Sequence, residues 1–245
     1  MGIALNILVS GTSRGIGLEF TRQYLARGER VFAGCRNPDA AENLKKLQDT
    51  YPKTLTILGL DTGDAKSIQR AHAVLFRQAD HLDLLINNAG IYSTRLGVPS
   101  DPGASQELGQ LTQGDALLFF QVNTVGPLLI VQEFLNLLRQ GTHAKIVNIT
   151  SGYGSVSGNT SGFPYYYAAS KAALNMITRS LAANLRSEGI TTIVMSPGWV
   201  RTEMGGSSAP TLPEESVAGM IQVIDKLTLK QTGQFFNWQG ATEAW

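Results

Sequence analysis

The chain has 245 residues, of which 43% are hydrophobic and 16% charged, and its formal net charge is +1. This apolar content supports a sizeable core and argues against disorder, and the length suits one domain spanning residues 1–245, or at most two small ones. Without a block of Lys or Arg, neither nucleic acid nor a membrane surface is favoured as a partner. The single cysteine, the lack of an apolar run of about 18 residues and the lack of a basic leader favour a cytoplasmic protein.

Short apolar runs alternate along the chain with stretches of helical periodicity. The apolar runs predict β-strands at 3–9, 30–34, 54–58, 82–86, 145–150, 191–196 and 234–236. The stretches between them predict helices at 15–27, 39–49, 65–78, 114–138, 166–187 and 214–227. Strands separated by helices imply right-handed crossovers and a parallel sheet covered on both faces. The sequence therefore predicts a single doubly wound, Rossmann-type α/β domain with about seven strands.

A glycine-rich turn follows the first predicted strand, where a doubly wound sheet binds its ligand. Gly11 can turn sharply out of the strand, Gly15 leaves room for a pyrophosphate, and Gly17 lets the next helix pack closely on the sheet. The spacing is Gly-x-x-x-Gly-x-Gly, and its place between a strand and a helix favours a dinucleotide over a turn without ligand.

Charge near the end of the second strand indicates which dinucleotide is bound. Arg36 ends that strand and Arg14 lies in the glycine turn, so both are expected to face a 2′-phosphate, which favours NADP(H). The alternative is that both are ordinary solvated arginines. Asp61 follows the third strand and is expected either to hydrogen-bond the adenine amino group or simply to cap a turn.

The second chemical signature is Tyr167 with Lys171, four residues later on a predicted helix. Residues at this spacing share a helix face, so the phenol and the ammonium are expected to address one pocket. A nearby cation stabilises phenolate and is expected to lower the pKa of the tyrosine toward neutrality, where it can act as a general acid or base. Ser151, at the end of the fifth strand, is placed to donate a hydrogen bond to a substrate carbonyl.

Three more motifs occur in order along the chain: Asn87-Asn88-Ala89-Gly90 after the fourth strand, Val122-Asn123-Thr124, and Pro197-Gly198-Trp199-Val200-Arg201-Thr202 after the sixth strand. With the glycine turn and Tyr-x-x-x-Lys, they make the chain resemble the short-chain dehydrogenase/reductases along nearly its whole length. Further segments are similar to the sniffer and C-factor group of NADPH-dependent carbonyl reductases within that family: Cys35-Arg36-Asn37, Gly158-Asn159-Thr160, Met204 to Pro210, and Ala244-Trp245.

The resemblance implies a role for each matching residue. Tyr167 would give its proton to the carbonyl oxygen as hydride arrives, Lys171 would lower the phenol pKa and hold the nicotinamide ribose, and Ser151 would polarise the carbonyl. Asn123 would fix a water that links Lys171 to solvent. The resemblance also implies a homodimer or homotetramer. The residues expected to bind the cofactor, besides Tyr167 and Lys171, are Gly11, Ser13, Arg14, Gly15, Ile16, Gly17, Arg36, Asp61, Thr62, Asn88, Ala89, Gly90, Pro197, Gly198, Val200 and Thr202.

Several alternatives stay open. Sixteen positions separate Ser151 from Tyr167, a few more than is usual in the family, so Ser155 or Ser157 could supply the hydroxyl in place of Ser151. Tyr165 and Tyr166 lack a lysine four residues on and are interpreted as pocket wall or packing. The three histidines have no metal-ligand spacing, so no metal is expected.

Residues 198–213 are rich in Gly and Ser, and their composition predicts a flexible substrate loop in which Trp199 and Met204 form an apolar cover. The leading function is reduction of an aldehyde or ketone by NADPH. The alternatives are a dedicated 3-oxoacyl or pteridine-type reductase, and a signalling protein that binds NADP(H) without needing turnover.

Overall fold

The structure of the protein, a computed structural model, describes residues 4–92 and 106–245. Strands and helices alternate along most of the chain. The strands are β1 (Asn6–Ser10), β2 (Arg30–Cys35), β3 (Leu55–Gly59), β4 (Leu84–Asn87), β5 (Lys145–Ile149), β6 (Thr191–Ser196) and β7 (Phe235–Asn237). The α-helices are α1 (Gly15–Ala26), α2 (Glu42–Thr50), α3 (Ala65–Phe76), α4 (Gln113–Phe120), α5 (Gly126–Gln140), α6 (Tyr165–Leu185) and α7 (Pro213–Lys226).

The strands form one seven-stranded sheet in the order β3-β2-β1-β4-β5-β6-β7, and every pair is parallel. The chain moves outward from β1 in one direction through β3 and then in the other direction from β4. This is the doubly wound fold that the alternation of strands and helices predicts, and its switch point lies between β1 and β4.

Alternating side chains of the strands supply two separate cores, one on each face of the sheet. Ile7 and Val9 face a core shared with α1, α2 and α7. Leu8, between them, faces the opposite core, which α3, α5 and α6 complete. Both faces are therefore covered, as the near-continuous apolar strands require.

The predicted helix at 114–138 differs from the structure in one respect. A π-helical turn, Gln121–Val125, joins α4 to α5 in a helix that runs from Gln113 to Gln140. Proline at 127 has no N–H, and its ring would clash with the carbonyl of Asn123 in a regular α-helix, so the wider turn relieves that clash. By length and composition this helix could cross a membrane, but a core helix has the same properties, and α5 packs its buried side chains against the sheet.

The other boundaries differ from prediction by a few residues. The predicted helix 39–49 starts three residues later than expected, because Pro38–Ala40 form a short 3-10 turn and α2 begins at Glu42. The predicted start of the first strand, at residue 3, lies outside the described residues. Because all strands are parallel, the segments that follow β1 to β6 meet at one edge of the sheet, and every motif of the candidate site lies there.

Candidate active site

The glycine turn after β1 has the backbone that its sequence predicts. Gly11 and Gly15 have φ values of +72° and +56°, the left-handed region that favours glycine. A Cβ at Gly17 would overlap the carbonyl oxygen of Gly11 and lie 2.5 Å from Nδ2 of Asn88. Only glycine therefore lets α1 begin this close to the sheet. Ser13 and Ile16 are half-buried in the same turn.

Hydrogen bonds join the glycine turn to the segment after β4. The hydroxyl oxygen of Ser10 accepts from the backbone N–H groups of Asn88 and Ala89, both at 3.1 Å. The side-chain amide of Asn88 donates back to the carbonyl oxygens of Ser10, at 3.0 Å, and Gly11, at 3.1 Å. These bonds hold the two segments on either side of the switch point as one unit.

Tyr167 and Lys171 lie on α6 and are both buried. The ammonium of Lys171 lies 5.7 Å from the centroid of the Tyr167 ring and donates a hydrogen bond to the carbonyl oxygen of Ile149 at 2.8 Å. Ser151 follows β5 and is near enough for its hydroxyl to influence the pKa of the phenol through a hydrogen bond. The structure thus brings together the three groups that the sequence singled out.

The prediction of a lowered pKa for Tyr167 does not hold in this structure. Burial raises the pKa of the phenol to about 12, and the hydrogen bond with Ser151 offsets only part of that rise. Burial also lowers the pKa of Lys171 to about 8. The ammonium of Lys171 donates its hydrogen bond to the carbonyl oxygen of Ile149 and not to the phenol, and desolvation is the main cause of both shifts.

Two more tyrosines enclose Tyr167, and the motifs gave no signal for them. The ring of Tyr92, just after the Asn-Asn-Ala-Gly motif, meets Tyr167 edge to face with centroids 4.7 Å apart. Tyr153 makes a second such contact at 6.3 Å. Tyr166, in contrast, points away and donates to the carbonyl oxygen of Thr112 at 2.8 Å, as a packing role implies.

The alternative serines are engaged elsewhere. The hydroxyl of Ser155 accepts from the N–H of Gly158 at 3.1 Å, and Ser157 donates to the carbonyl oxygen of Trp245 at 2.6 Å. The additional residues between Ser151 and Tyr167 form a 3-10 turn, Gly152–Gly154, and a loop. Ser151 stays the candidate that is next to the phenol.

Asn123 lies in the π-helical turn and is fully buried. Its Oδ1 accepts from the N–H of Ile91 at 2.8 Å, and its Nδ2 donates to the carbonyl oxygen of Ile91 at 2.9 Å and to Ser170 Oγ at 3.1 Å. A Cβ at Gly90 would lie 3.2 Å from Oδ1 of Asn123 and 3.5 Å from Nζ of Lys171. The side chain of Asn123 therefore holds the segment after β4 through two hydrogen bonds to the backbone of Ile91. Its predicted link to Lys171 through a water stays a prediction.

The residues predicted to select the cofactor lie at the surface of the same edge. Arg14 forms an ion pair with Glu203, with Nε and Oε2 3.2 Å apart and both side chains more than half exposed. Arg36 is exposed at the end of β2. The carboxylate of Asp61 accepts a hydrogen bond from the N–H of Gly63 at 2.9 Å, so in this structure Asp61 caps a turn. Thr62 is buried. The pairing of Arg14 with a carboxylate was not predicted.

Residues 198–213 are joined to one another by backbone and side-chain contacts. Val200 pairs with Thr211 in a β-bridge, and the indole N–H of Trp199 donates to the carbonyl oxygen of Gly205 at 2.7 Å. A Cβ at Gly205 would overlap the carbonyl oxygen of Val200. The glycines of this segment therefore permit close backbone approach, and its role as a flexible substrate loop stays a prediction. Trp199 and Met204 are exposed, as an apolar cover requires.

The same loop reaches the glycine turn. Cγ2 of Thr202 would be 3.3 Å from a Cβ at Gly15, and Pro197 and Gly198, with φ of +79°, turn the chain out of β6 toward it. Among the residues that the structure describes, no group of three or more His, Cys, Asp or Glu could hold a metal ion.

Comparison with known proteins identifies the class of protein that has this fold and site. The family model described as short chain dehydrogenase matches residues 5–212. The chain therefore belongs to the short-chain dehydrogenase family of oxidoreductases, whose members use NAD(H) or NADP(H).

Three relatives show where in the family the chain lies. C-signal of Myxococcus xanthus is 41% identical over 164 residues, which are 67% of this chain and 93% of that protein. The NADPH-bound carbonyl reductase from chicken fatty liver is 36% identical with a TM-score of 0.90, covering 99% of this chain and 100% of that one. The carbonyl reductase Sniffer of D. melanogaster is 32% identical with the same TM-score and coverage.

Proposed function

We propose that the protein reduces an aldehyde or ketone with NADPH, and that Tyr167 donates the proton. The observation that carries this proposal is the buried phenol of Tyr167 beside Ser151, with the ammonium of Lys171 5.7 Å from its ring, at the edge of the sheet where the glycine turn lies. Similarity to an NADPH-bound carbonyl reductase supports it.

The residues present fit a dinucleotide. Gly15 and Gly90 keep side chains out of the space beside the turn and beside Lys171, and the start of α1 offers backbone N–H groups to a pyrophosphate. Arg14 and Arg36 would hold the 2′-phosphate. The backbone at 88–90 would lie along the middle of the cofactor, and residues 197–202 would hold its carboxamide.

Bound NADPH would supply the hydride. Ser151 donates a hydrogen bond to the substrate oxygen, and the phenol of Tyr167 transfers its proton to that oxygen, so the carbonyl gains one hydride and one proton and becomes an alcohol. Lys171 stabilises the phenolate that remains. A raised pKa suits this direction, because the phenol is fully protonated at neutral pH.

The proposal is tested by following NADPH oxidation with a panel of aldehydes, diketones, quinones and acyl thioesters. We expect turnover of several simple carbonyls and a marked preference for NADPH over NADH. One substrate that greatly exceeds all others in kcat/KM would favour the dedicated 3-oxoacyl or pteridine-type reductase. A panel with no turnover by folded protein that binds NADPH would contradict carbonyl reduction and favour the signalling role, which similarity to C-signal supports.

Replacing Arg36 by Ala is expected to lower kcat/KM for NADPH about 10- to 100-fold, because a charge-assisted hydrogen bond to phosphate is lost. The value with NADH, which lacks this phosphate, is expected to stay within twofold. Steady-state kinetics with both cofactors measure the ratio. Arg77→Ala, at the exposed C-terminal end of α3, is the matched control. An equal loss with both cofactors would contradict a role at the 2′-phosphate.

Replacing Glu203 by Gln is expected to lower KM for NADPH about two- to fivefold. The carboxylate lies 3.2 Å from Arg14, so it competes for that cation and repels a phosphate, although exposed pairs are weak. The effect should shrink as salt is raised. Glu188→Gln, which removes an ion pair with Arg139 far from the site, is the control, and a raised KM in Glu203→Gln would contradict this interpretation.

The pH profile of kcat/KM for reduction is expected to be flat from pH 6 to 7 and to fall above pH 8. The pKa of Lys171 is lowered to about 8, so its charge is lost as the pH rises through that value and the phenolate of Tyr167 loses its stabilising cation. Lys171→Arg keeps a charge throughout. Its profile, at whatever activity remains, is expected to lack the decline near pH 8, and persistence of that decline would assign it to another group.

We further propose a cytoplasmic homodimer or homotetramer that acts on a small-molecule carbonyl, without nucleic acid or membrane as a partner. Leu117 on α4, Val125 in the π-helical turn and Met176 on α6 support self-association, since they are 62%, 44% and 67% exposed on neighbouring elements. Light scattering measures the mass in solution. A monomer at micromolar concentration would contradict the oligomer.

A further inference from the structure

Gln106 lies beside the candidate site, outside every motif of the family, and its side chain is fully buried. Its Oε1 accepts a hydrogen bond from the backbone N–H of Tyr167 at 2.8 Å. Its Nε2 donates to the backbone carbonyl oxygen of Tyr92, also at 2.8 Å. One neutral amide therefore joins two segments that are far apart in the chain.

The N–H of Tyr167 needs an acceptor from outside its helix. Tyr167 is the third residue of α6, and the first N–H groups of a helix have no acceptor within it. A Ser, Thr, Asp or Asn before the helix usually supplies an oxygen, but α6 is preceded by Pro164, whose side chain has none. Gln106 supplies that oxygen, because leaving a buried N–H without a partner destabilises the fold.

The second hydrogen bond of Gln106 holds a residue that packs against the phenol of Tyr167. Tyr92, whose carbonyl oxygen it holds, packs its ring edge against the Tyr167 ring at 4.7 Å and 78°. Gln106 thus anchors both the backbone of Tyr167 and the segment that contains Tyr92. Loss of the anchor would free the first turn of α6 and the Tyr92 ring together.

We propose that Gln106 is a positioning residue for Tyr167: it fixes the phenol by capping the first turn of α6 and holding Tyr92 against the ring. It touches neither substrate nor cofactor in this scheme and acts only through Tyr167. The inference rests on the proposed function for its effect on turnover, but the contact itself can be measured without substrate. Small displacements of a reacting group reduce rate more than binding.

Gln106→Leu keeps the size of the side chain and removes both bonds. We expect kcat to fall about 10- to 100-fold with KM for NADPH within about twofold, because the proton donor is misplaced while the cofactor groove is intact. Amide hydrogen exchange at Tyr167 is expected to quicken at least about tenfold. The ¹³Cζ NMR signal of Tyr167, identified by its loss in Tyr167→Phe, is expected to shift or broaden.

Gln106→Glu separates the two bonds. An ionised carboxylate still accepts from Tyr167 but repels the carbonyl oxygen of Tyr92, whereas a protonated carboxyl group can make both contacts. We expect kcat of this variant to rise as the pH is lowered, in a titration absent from the wild type and from Gln106→Leu. A purely structural role would show the same rescue only together with unfolding at higher pH, so the melting temperature of Gln106→Glu is measured across the same pH range.

Gln110→Leu is the matched control, since Gln110 is an exposed glutamine in the same segment. Unchanged exchange and an unchanged ¹³Cζ signal in Gln106→Leu would overturn the inference, whatever the activity. So would fast exchange with kcat within twofold of wild type. If the wild type turns over no carbonyl, the proposed function fails, and the exchange and NMR data still decide whether Gln106 positions Tyr167. If Gln106→Leu does not fold, the ¹³Cζ signal of Tyr167 in Gln106→Glu decides the question. A signal that shifts as the carboxyl group titrates supports the inference, and a signal that stays at its wild-type position at every pH overturns it.

Discussion

Tyr167→Phe is expected to lower kcat for carbonyl reduction about 10³-fold while NADPH affinity stays within about threefold. The substitution removes the hydroxyl that is proposed to give a proton to the substrate oxygen, and general acid catalysis contributes effects of this size. The ring is kept, so its edge contacts with Tyr92 and Tyr153 persist. Stopped-flow turnover and fluorescence titration of NADPH measure the two quantities separately.

Tyr165→Phe is the matched control, because Tyr165 begins the same helix and is 40% exposed. Its kcat is expected to stay within twofold of wild type. A Tyr167→Phe variant with more than a tenth of wild-type kcat would show that another group or water donates the proton. Full biological output from a variant without turnover would instead support the signalling alternative.

If Tyr167 is the proton donor proposed above, its raised pKa makes the phenol, and not the phenolate, the form that reacts in the reductive direction. A buried phenol near Ser151 stays protonated across the neutral range, so each encounter with substrate finds the acid ready. Transfer of the proton then creates a buried phenolate, which is costly unless a cation compensates it. In the proposed reaction, Lys171 on the next turn of α6 is that cation.

Much of the fold and site could be predicted because the signals are local. Glycines in the first turn predict a positive φ, which other residues rarely adopt, and φ is positive at Gly11 and Gly15. The four-residue spacing of Tyr167 and Lys171 is a property of any helix. Apolar runs and helical periodicity likewise located each strand of the described residues, because a parallel sheet buries both faces.

Contacts between distant segments left no such signal. Nothing near Gln106 in the chain indicates that its amide meets Tyr167, 61 residues away, and nothing near Arg14 predicts Glu203 as its partner. The pKa of Tyr167 was mispredicted for the same reason: spacing fixes which face Lys171 shares, whereas the direction of its ammonium depends on the carbonyl oxygen of Ile149 on another element. Desolvation also depends on the whole enclosure.

The π-helical turn depends on both a local residue and a contact with a distant segment. Helix 114–138 was predicted without an interruption although it contains Pro127, and whether a proline kinks, ends or widens a helix depends on what packs around it. Here the neighbouring Gly126 lies so close to the carbonyl of Thr62 that a Cβ would overlap it. The helix therefore continues past the proline, held against the segment after β3, and presents Asn123 to Ile91.

Gly17→Ala is expected to destabilise the protein by about 3 kcal/mol, the upper range for an extra methyl group in a packed core. The new Cβ would overlap the carbonyl oxygen of Gly11 and lie 2.5 Å from the amide of Asn88, and neither can move freely, because that amide also bonds Ser10. The melting temperature should fall by roughly 6 to 12 °C for a chain of this size. Differential scanning calorimetry measures both.

The same substitution is expected to abolish the rise in melting temperature that saturating NADPH gives the wild type, because α1 would be pushed away from the turn that holds the pyrophosphate. Gly114→Ala is the matched control: Gly114 is exposed on α4, and the nearest atom to its added Cβ is 4.0 Å away. That variant should be as stable as the wild type or up to about 1 kcal/mol more stable. A Gly17→Ala protein that keeps its NADPH-dependent shift would show that the cofactor binds without the close approach of α1 to the sheet, and would move the cofactor site away from the glycine turn.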